Sequence, residues 1–384
     1  MNLEINKVIE LIKSEKFEKA ITNLNELIKD NKKNLNYYHL RGISFLKLAK
    51  FKSAEEDFHS FLKFKSDFPD VYNNLAVLYF TIGENELAIK NFVKAISLKK
   101  NFELAINGLI KALTHEHSIE INNSNILNNH NKINEIKIKY SPDEFIEDDT
   151  IINFVDELIK NVSNDFINFA YKPTQIYRRD LRLLNCKRHD KIFKSHKVIP
   201  EFCFGCYKVQ IEPDNIIDLI RLYILFDNIN LSNIRKCMIE LRPNLQGNYK
   251  GLIYCKSIDE AKSLQNKFRD HITKNFKTSM PVNIKRGCTE YGVEYPQYNN
   301  LEENIMNYKS DWKKYENLID EKYPSLAFNE KLRPTIKGAT LHDVLVIRNW
   351  IYFAKLNGDE KFKMLSSQDF ESGFIKKKFN LKYS

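Results

Sequence analysis

Residues 35–68 read LNYYHLRGISFLKLAKFKSAEEDFHSFLKFKSDF, and residues 69–100 read PDVYNNLAVLYFTIGENELAIKNFVKAISLKK. Set one under the other, Tyr38, Gly42, Phe45, Ala54, Phe58 and Phe61 fall on Tyr72, Ala76, Tyr79, Ala88, Phe92 and Ala95. A 34-residue period with large residues early, a small residue at the eighth place and Ala at the twentieth is the pattern of a two-helix solenoid repeat. The small residues mark where the two helices of a repeat cross, and the aromatics fill the space between successive helices. Pro69 lacks a backbone donor and so suits the first turn of the next helix.

Shifting the template back one period places Val8, Leu11, Ala20, Leu24 and Leu27 on it, so 1–34 reads as a degenerate first repeat. Shifting it forward gives Ile106, Leu109, Ile110 and Leu113, enough for one closing helix. Three repeats and a closing helix is about the minimum that buries a continuous solenoid core. At these positions the chain resembles the tetratricopeptide repeat family. The resemblance implies a concave groove lined by the first helix of each repeat. In the second repeat the groove positions are Asn36, His39, Leu40, Ile43, Leu46 and Lys47; in the third they are Asp70, Asn73, Asn74, Val77, Phe80 and Thr81. Family members that grip a peptide's terminal carboxylate use Lys, Asn and Arg at several of these places, and only Asn74 matches here. A groove mixing Asn with Ile, Val and Phe suits an apolar or helical peptide better. The competing expectation is that the protein's own C-terminal part packs there.

With 384 residues and 43% hydrophobic content, the chain has room for two or three domains of ordinary soluble composition. No run approaches the roughly 18 uncharged apolar residues of a membrane span. Residues 1–17 carry Glu4, Lys7, Glu10, Lys13, Glu15 and Lys16 inside an apolar periodicity, an amphipathic helix without the uncharged core of a secretory signal. The expectation is a soluble, cytoplasmic protein. There, six cysteines are thiols or metal ligands more readily than disulfides. A net charge of +10 permits acidic partners or nucleic acid without demonstrating either.

From His117 to Asp149 periodicity fails. Asn122, Asn123, Asn125, Asn128, Asn129, Asn131 and Asn134 crowd together and Pro142 follows, so 117–149 reads as an Asn-rich linker. Helical spacing resumes at Ile151, Phe154, Val155 and Leu158. Beyond it, Tyr207, Val209 and Ile211 alternate as a strand, and a helix carries Ile216 to Ile224. Cys237, Ile239 and Leu241 then alternate, Leu252 to Cys255 form a strand, and Ser257 with Glu260 opens a helix through Ala261, Leu264, Phe268 and Ile272. Val282 and Ile284 make the last strand. Strand, helix, strand, strand, helix, strand is the order of a ferredoxin-like βαββαβ unit over 150–300, with spatial strand order 4-1-3-2. Phase then puts Cys237 and Cys288 under the helices and Cys206 on the opposite face, with Cys255 also in the core. Residues 301–384 are expected to form flanking helices: a long one from Leu301 to Tyr323, one from Thr340 capped by Asp343 and ended by Gly358, and a frayed tail from Lys376. The fold class is α+β, an N-terminal α-solenoid over 1–116 followed by this second domain.

Cys186 and His189, and again Cys203 and Cys206, are pairs separated by two residues. Two such pairs joined by a loop can close a tetrahedral zinc site, each pair taking one edge of the metal. Unligated thiols and a redox dithiol are the alternatives. Between Lys172 and Lys208, ten basic residues, among them Arg178, Arg179, Arg182, Lys187 and Arg188, stand against Asp180, Asp190 and Glu201. Such a stripe suits phosphates, and a solvated helix face is its plainer reading. Lys250, Gly251 and Tyr254 resemble in part the third strand of an RNA-recognition motif, but Lys208 and Gln210 stand where a stacking aromatic belongs. Phosphate-binding glycine loops, nucleophile elbows and dinucleotide fingerprints are lacking. The leading expectation is an interaction protein holding a protein or peptide segment in the groove. Behind it stand a zinc- or iron-dependent enzyme using the Cys/His cluster and a nucleic-acid binder using 172–208.

Overall fold

The computed structural model describes all residues except 1–2, 121–123, 139–143, 164–165, 167–168, 180–183, 244, 277–279, 303–304, 328–332, 366–368 and 384. Its helices are α1 (Leu3–Lys13), α2 (Phe17–Asp30), α3 (Leu35–Lys47), α4 (Phe51–Phe64), α5 (Pro69–Ile82), α6 (Asn85–Leu98), α7 (Glu103–Leu113), α8 (Asn125–Glu135), α9 (Asp148–Lys160), α10 (Cys186–His196), α11 (Glu201–Phe204), α12 (Ile216–Asn228), α13 (Ile258–Asn275), α14 (Lys313–Lys322), α15 (Pro324–Ala327), α16 (Leu341–Asn357) and α17 (Gly373–Tyr383). Its strands are β1 (Gln175–Arg178), β2 (Tyr207–Ile211), β3 (Arg235–Ile239), β4 (Tyr249–Cys255) and β5 (Val282–Arg286). Two compact units result. The first comprises Met1–Ala112, Leu183–Val198 and Ser310–Leu332; the second comprises Leu113–Arg182, Ile199–Lys309 and Arg333–Ser384.

The first unit is built on α1 to α7, three helix pairs and a closing helix, as the 34-residue period requires. Ala54, Ala76, Ala88 and Ala95 are fully buried where helices cross, and Phe58, Phe61 and Phe92 fill the gaps. The crossings at Gly42 and Gly108 are tight: a Cβ would stand 2.6 Å from the Phe58 ring at the first and 2.4 Å from the Phe92 ring at the second. Pro69 occupies the first turn of α5, and Gly83 ends it with a left-handed φ of 92°. Arg41 on α3 staples three helices, bonding both Asp57 oxygens on α4 at 2.7 and 2.8 Å and Asn25 on α2 at 2.7 Å. The later segments α10, α14 and α15 belong to this unit, with α15 against α3 and Tyr323 donating to Glu15 at 2.5 Å.

The second unit is an antiparallel five-stranded sheet in the order β1-β3-β4-β2-β5. α12 and α13 cover one face, where Phe226 and Phe268 meet edge to face at 5.8 Å and Leu222 leaves no room for a side chain at Gly251. Ser257 caps α13 by accepting from the Glu260 N–H at 3.1 Å, while the Glu260 carboxylate accepts from Lys256 N. Thr340 and Asp343 form a reciprocal cap on α16, and Gly358 ends that helix in the left-handed region.

Four expectations need correction. The edge strand β1 was not anticipated; it pairs with β3 some sixty residues later. Within the stretch read as linker, α8 is a helix with Ile126, Leu127, His130 and Ile133 buried; Asn122, Asn123 and Pro142 lie outside the described residues. The long helix expected from Leu301 shrinks to α14, entered by a single 3-10 turn at Ser310–Trp312. The lysine-rich end is α17, held by Phe379 packing on Phe353 at 5.9 Å and by Lys382 donating to the carbonyls of Glu240 and Gly247.

Candidate functional site

The groove-lining helices of the repeats are α1, α3, α5 and α7. Along α5 the residues Asn73, Val77 and Phe80 follow at spacings of four and three, which places them on one side of the helix. Val77 is 40% exposed, whereas Asn73 is buried and its side-chain oxygen accepts no hydrogen bond. Phe80 is buried beneath α7, whose Lys111 ammonium stands 4.6 Å from the ring centre. On α7, Leu104 is 68% exposed. An exposed apolar surface of this kind fits a ligand that brings methyl groups. Leu104 and Lys111 were missed in the sequence, although the repeat template carried one period further lands on both.

Other groove positions do different work. His39 packs among Phe58, Phe61 and Phe68 at ring separations of 5.6–6.3 Å, and its ring nitrogen meets the Asn74 side-chain amide at 3.0 Å. Burial holds the His39 pKa below its ordinary value, against the pull of Asp70. His39 and Asn74 thus tie α3 to α5 instead of facing a ligand. Ile43 is half-buried, Asn36 and Lys47 are exposed, and α15 packs on the same α3.

The four expected metal ligands are not brought together: among the described residues, no three His, Cys, Asp or Glu side chains are placed to hold a metal ion. Cys186 is the exposed first residue of α10. His189, on the same helix, is buried, and that burial together with the neighbouring Arg188 charge lowers its pKa to about 4, against the opposing pull of Glu316 and Asp320. Cys203 and Cys206 belong to the second unit, Cys203 on α11 and Cys206 immediately before β2. There Cys203 finds Cys288, which sits past the end of β5, half-buried, and not in the core where strand phase put it. Cys237 and Cys255 are core thiols as expected.

The basic stretch does not form one surface. Arg178 is 5% exposed and bonds Asp227 at 2.5 Å, Asp343 at 2.9 Å, the Tyr223 hydroxyl at 3.0 Å and the Gly338 carbonyl at 3.0 Å. Burial opposes its charge, yet the two carboxylates and Tyr223 raise its pKa well above the ordinary value. Arg188 is spent on Asp320 and Glu316 within the first unit, at 2.5–2.9 Å. Arg179 meets His115 at 3.0 Å, Lys187 is exposed, and Arg182 lies outside the described residues. Arg178, Arg179 and Arg188 are spent on partners within the fold, which weakens the ground for a nucleic-acid stripe.

Residues 69–102, which are α5, α6 and the turn that follows, match the family model of the tetratricopeptide repeat. The N-terminal helix pairs are tetratricopeptide repeats. No curated protein matches the chain. Solved structures similar to it include the second tetratricopeptide repeat domain of human RPAP3 in complex with an HSP70 peptide, at 20% identity over 28% of this chain and 91% of that one, TM-score 0.27. The first such domain of Spaghetti (RPAP3), bound to an HSP90 peptide, shares 22% identity over 28% and 85%, TM-score 0.27. The repeat domain of Arabidopsis OM64 shares 23% over 30% and 94%, TM-score 0.29.

Proposed function

We propose that the chain is a cytoplasmic interaction protein whose tetratricopeptide repeats receive a partner protein segment, carried beside a ferredoxin-like βαββαβ unit. The observation that carries this reading is the exposure of the large apolar side chains Val77 on α5 and Leu104 on α7. The partner segment is a short amphipathic one whose apolar face covers Val77 and Leu104. The segment lies along α5 and α7 and not α3, because α15 already packs on α3. The six free thiols are consistent with a reducing compartment, and among the described residues no helix is long and apolar enough to cross a membrane.

The test uses the full chain, since the first unit draws segments from three parts of the sequence. Short displayed peptides are selected on the wild-type protein and then titrated against Val77→Glu and Leu104→Glu. Selected peptides should lose at least about tenfold in affinity on both variants, about 1.4 kcal/mol. Equal affinity for the variants, or no selected peptide at all, overturns the reading.

A further inference from the structure

We infer that Cys203 and Cys288 form a redox-active thiol pair at one end of the sheet, in which Cys288 attacks a small hydroperoxide and Cys203 resolves the product to a disulfide. The register of the sheet brings the two together. Tyr207 at the start of β2 pairs with Arg286 at the end of β5, so the residues just before β2 meet those just after β5. Gly287 N donates to the Cys206 carbonyl at 2.9 Å, and a Cβ at Gly287 would stand 2.4 Å from the Cys206 sulfur, so only glycine allows so close an approach. Within this junction the Cys203 and Cys288 thiols are hydrogen-bonded to each other. The Tyr291 hydroxyl lies 3.8 Å from the Cys203 sulfur and also bonds Cys288. Tyr298 fixes the backbone from the other side, its hydroxyl donating to the Cys203 carbonyl at 2.8 Å.

Exposure and charge assign the roles. Cys203 is 1% exposed and out of reach of solvent, whereas Cys288 is half-buried and reachable. The Lys208 ammonium, itself buried, donates to the Gly287 carbonyl at 3.0 Å, which puts a cation one residue from Cys288. The Cys203 hydrogen bond lowers the Cys288 pKa, aided by Lys208 and Tyr291 and opposed by burial and Glu290; the same hydrogen bond, with burial, raises that of Cys203. The thiolate is the nucleophile.

The chemistry balances without a metal or cofactor. The Cys288 thiolate attacks the terminal oxygen of the hydroperoxide; an S–O bond forms, the O–O bond breaks, and the departing alkoxide or hydroxide takes a proton from water. Cys203 then attacks the sulfenic sulfur, the S–S bond forms, and the sulfenic oxygen leaves as water with the Cys203 thiol proton. Two electrons pass from the two thiols to the peroxide, and an external dithiol returns them by exchange.

The experiment treats the full chain, in a Cys186→Ser background that removes the exposed thiol, with one equivalent of hydrogen peroxide. Free thiols are then blocked and the digest is mapped under non-reducing conditions. A Cys203–Cys288 cross-link that dithiothreitol reverses is expected. Cys203→Ser should instead accumulate a sulfenic acid at Cys288 that dimedone traps, while Cys206→Ser should leave the cross-link intact. A Cys203–Cys206 bond, dimedone at a different cysteine, or no disulfide overturns the assignment. The mapping on the parent chain decides this even where a serine variant fails to fold.

Discussion

The two units solve the problem of a stable interior with different materials. In the helical repeats the interior is graded by size: buried alanines at helix crossings and phenylalanines between them, with the buried Asp57 carboxylate stapled by the partly exposed Arg41. In the sheet unit the interior also takes charge. Arg178, Arg221, Arg235, Lys250, Glu240, Asp218 and Asp343 are all buried there, each held by a hydrogen bond or ion pair. Size complementarity is written at a fixed spacing along the chain. A buried ion pair has no spacing, since Arg178 meets Asp227 49 residues on and Asp343 165 residues on.

The hardest blow to this contrast falls on Arg178. Replacing it by Met keeps the volume and strands two carboxylates in a dry interior, and breaking a buried pair in that way costs about 3–5 kcal/mol. Trp312 lies in the first unit and Trp350 in the second, so urea unfolding of Arg178→Met followed by Trp350 fluorescence in a Trp312→Phe background reads the sheet unit alone. A loss under about 1 kcal/mol would mean that the charged interior is ornamental.

A comparable effect is expected in the helical unit from pH. His189 titrates near 4 in the folded chain and near 6.5 when unfolded, so the unfolded state binds the extra proton first. Stability is therefore complete above about pH 6.5 and falls as pH drops toward 4, by about 3 kcal/mol in all. His189→Gln should remove that share of the slope relative to wild type; parallel curves for the two proteins would show that Arg188, Glu316 and Asp320 compensate for the burial.

How much was legible in the sequence follows from the same difference in materials. Tyr38, Gly42, Ala54 and Phe58, repeated one period on, made the three helix pairs and the closing helix legible, because each residue's partner is a neighbour in the chain. The strands β2 to β5 were legible because their apolar residues alternate. β1 was not: QIYR is four residues long and is held by a strand far along the chain. The asparagines of α8 read as loop formers, yet Asn129 bonds Ser163 and Asn131 bonds Ile119, so they supply tertiary contacts on a helix that buries Ile126, Leu127 and Ile133. In the proposed groove, template position names Asn73, Val77 and Phe80. It could not say that His39 and Asn74 would bond each other, nor that Cys203 would meet Cys288 instead of Cys186, since antiparallel register and not sequence spacing sets that meeting.

A smaller effect sharpens the reading of size. Gly42→Ala adds one methyl group where the Phe58 ring is fully buried and cannot retreat. Overpacking of this kind costs about 1–3 kcal/mol, and the better helix propensity of Ala returns up to about 1. A net loss of about 1–2 kcal/mol in urea unfolding is expected, and Gly373→Ala, where nothing lies within 4 Å of the added carbon, should stay within about 0.5 kcal/mol. A stabilised Gly42→Ala would mean that α3 and α4 slide apart freely.

The smallest effect on stability is the one most informative about function. Val77 is 40% exposed on the outward side of α5, so Val77→Glu removes little buried area and adds a charge that water can reach. Its unfolding midpoint should match wild type to within about 0.5 kcal/mol. If the groove is a receiving surface, the same substitution must still abolish capture of a selected peptide, since the carboxylate would have to be desolvated beneath the partner's apolar face. Stability and binding then part company at one residue. A Val77→Glu protein that unfolds early would place this side chain in the core of the repeats, and the loss of binding would say nothing about a groove.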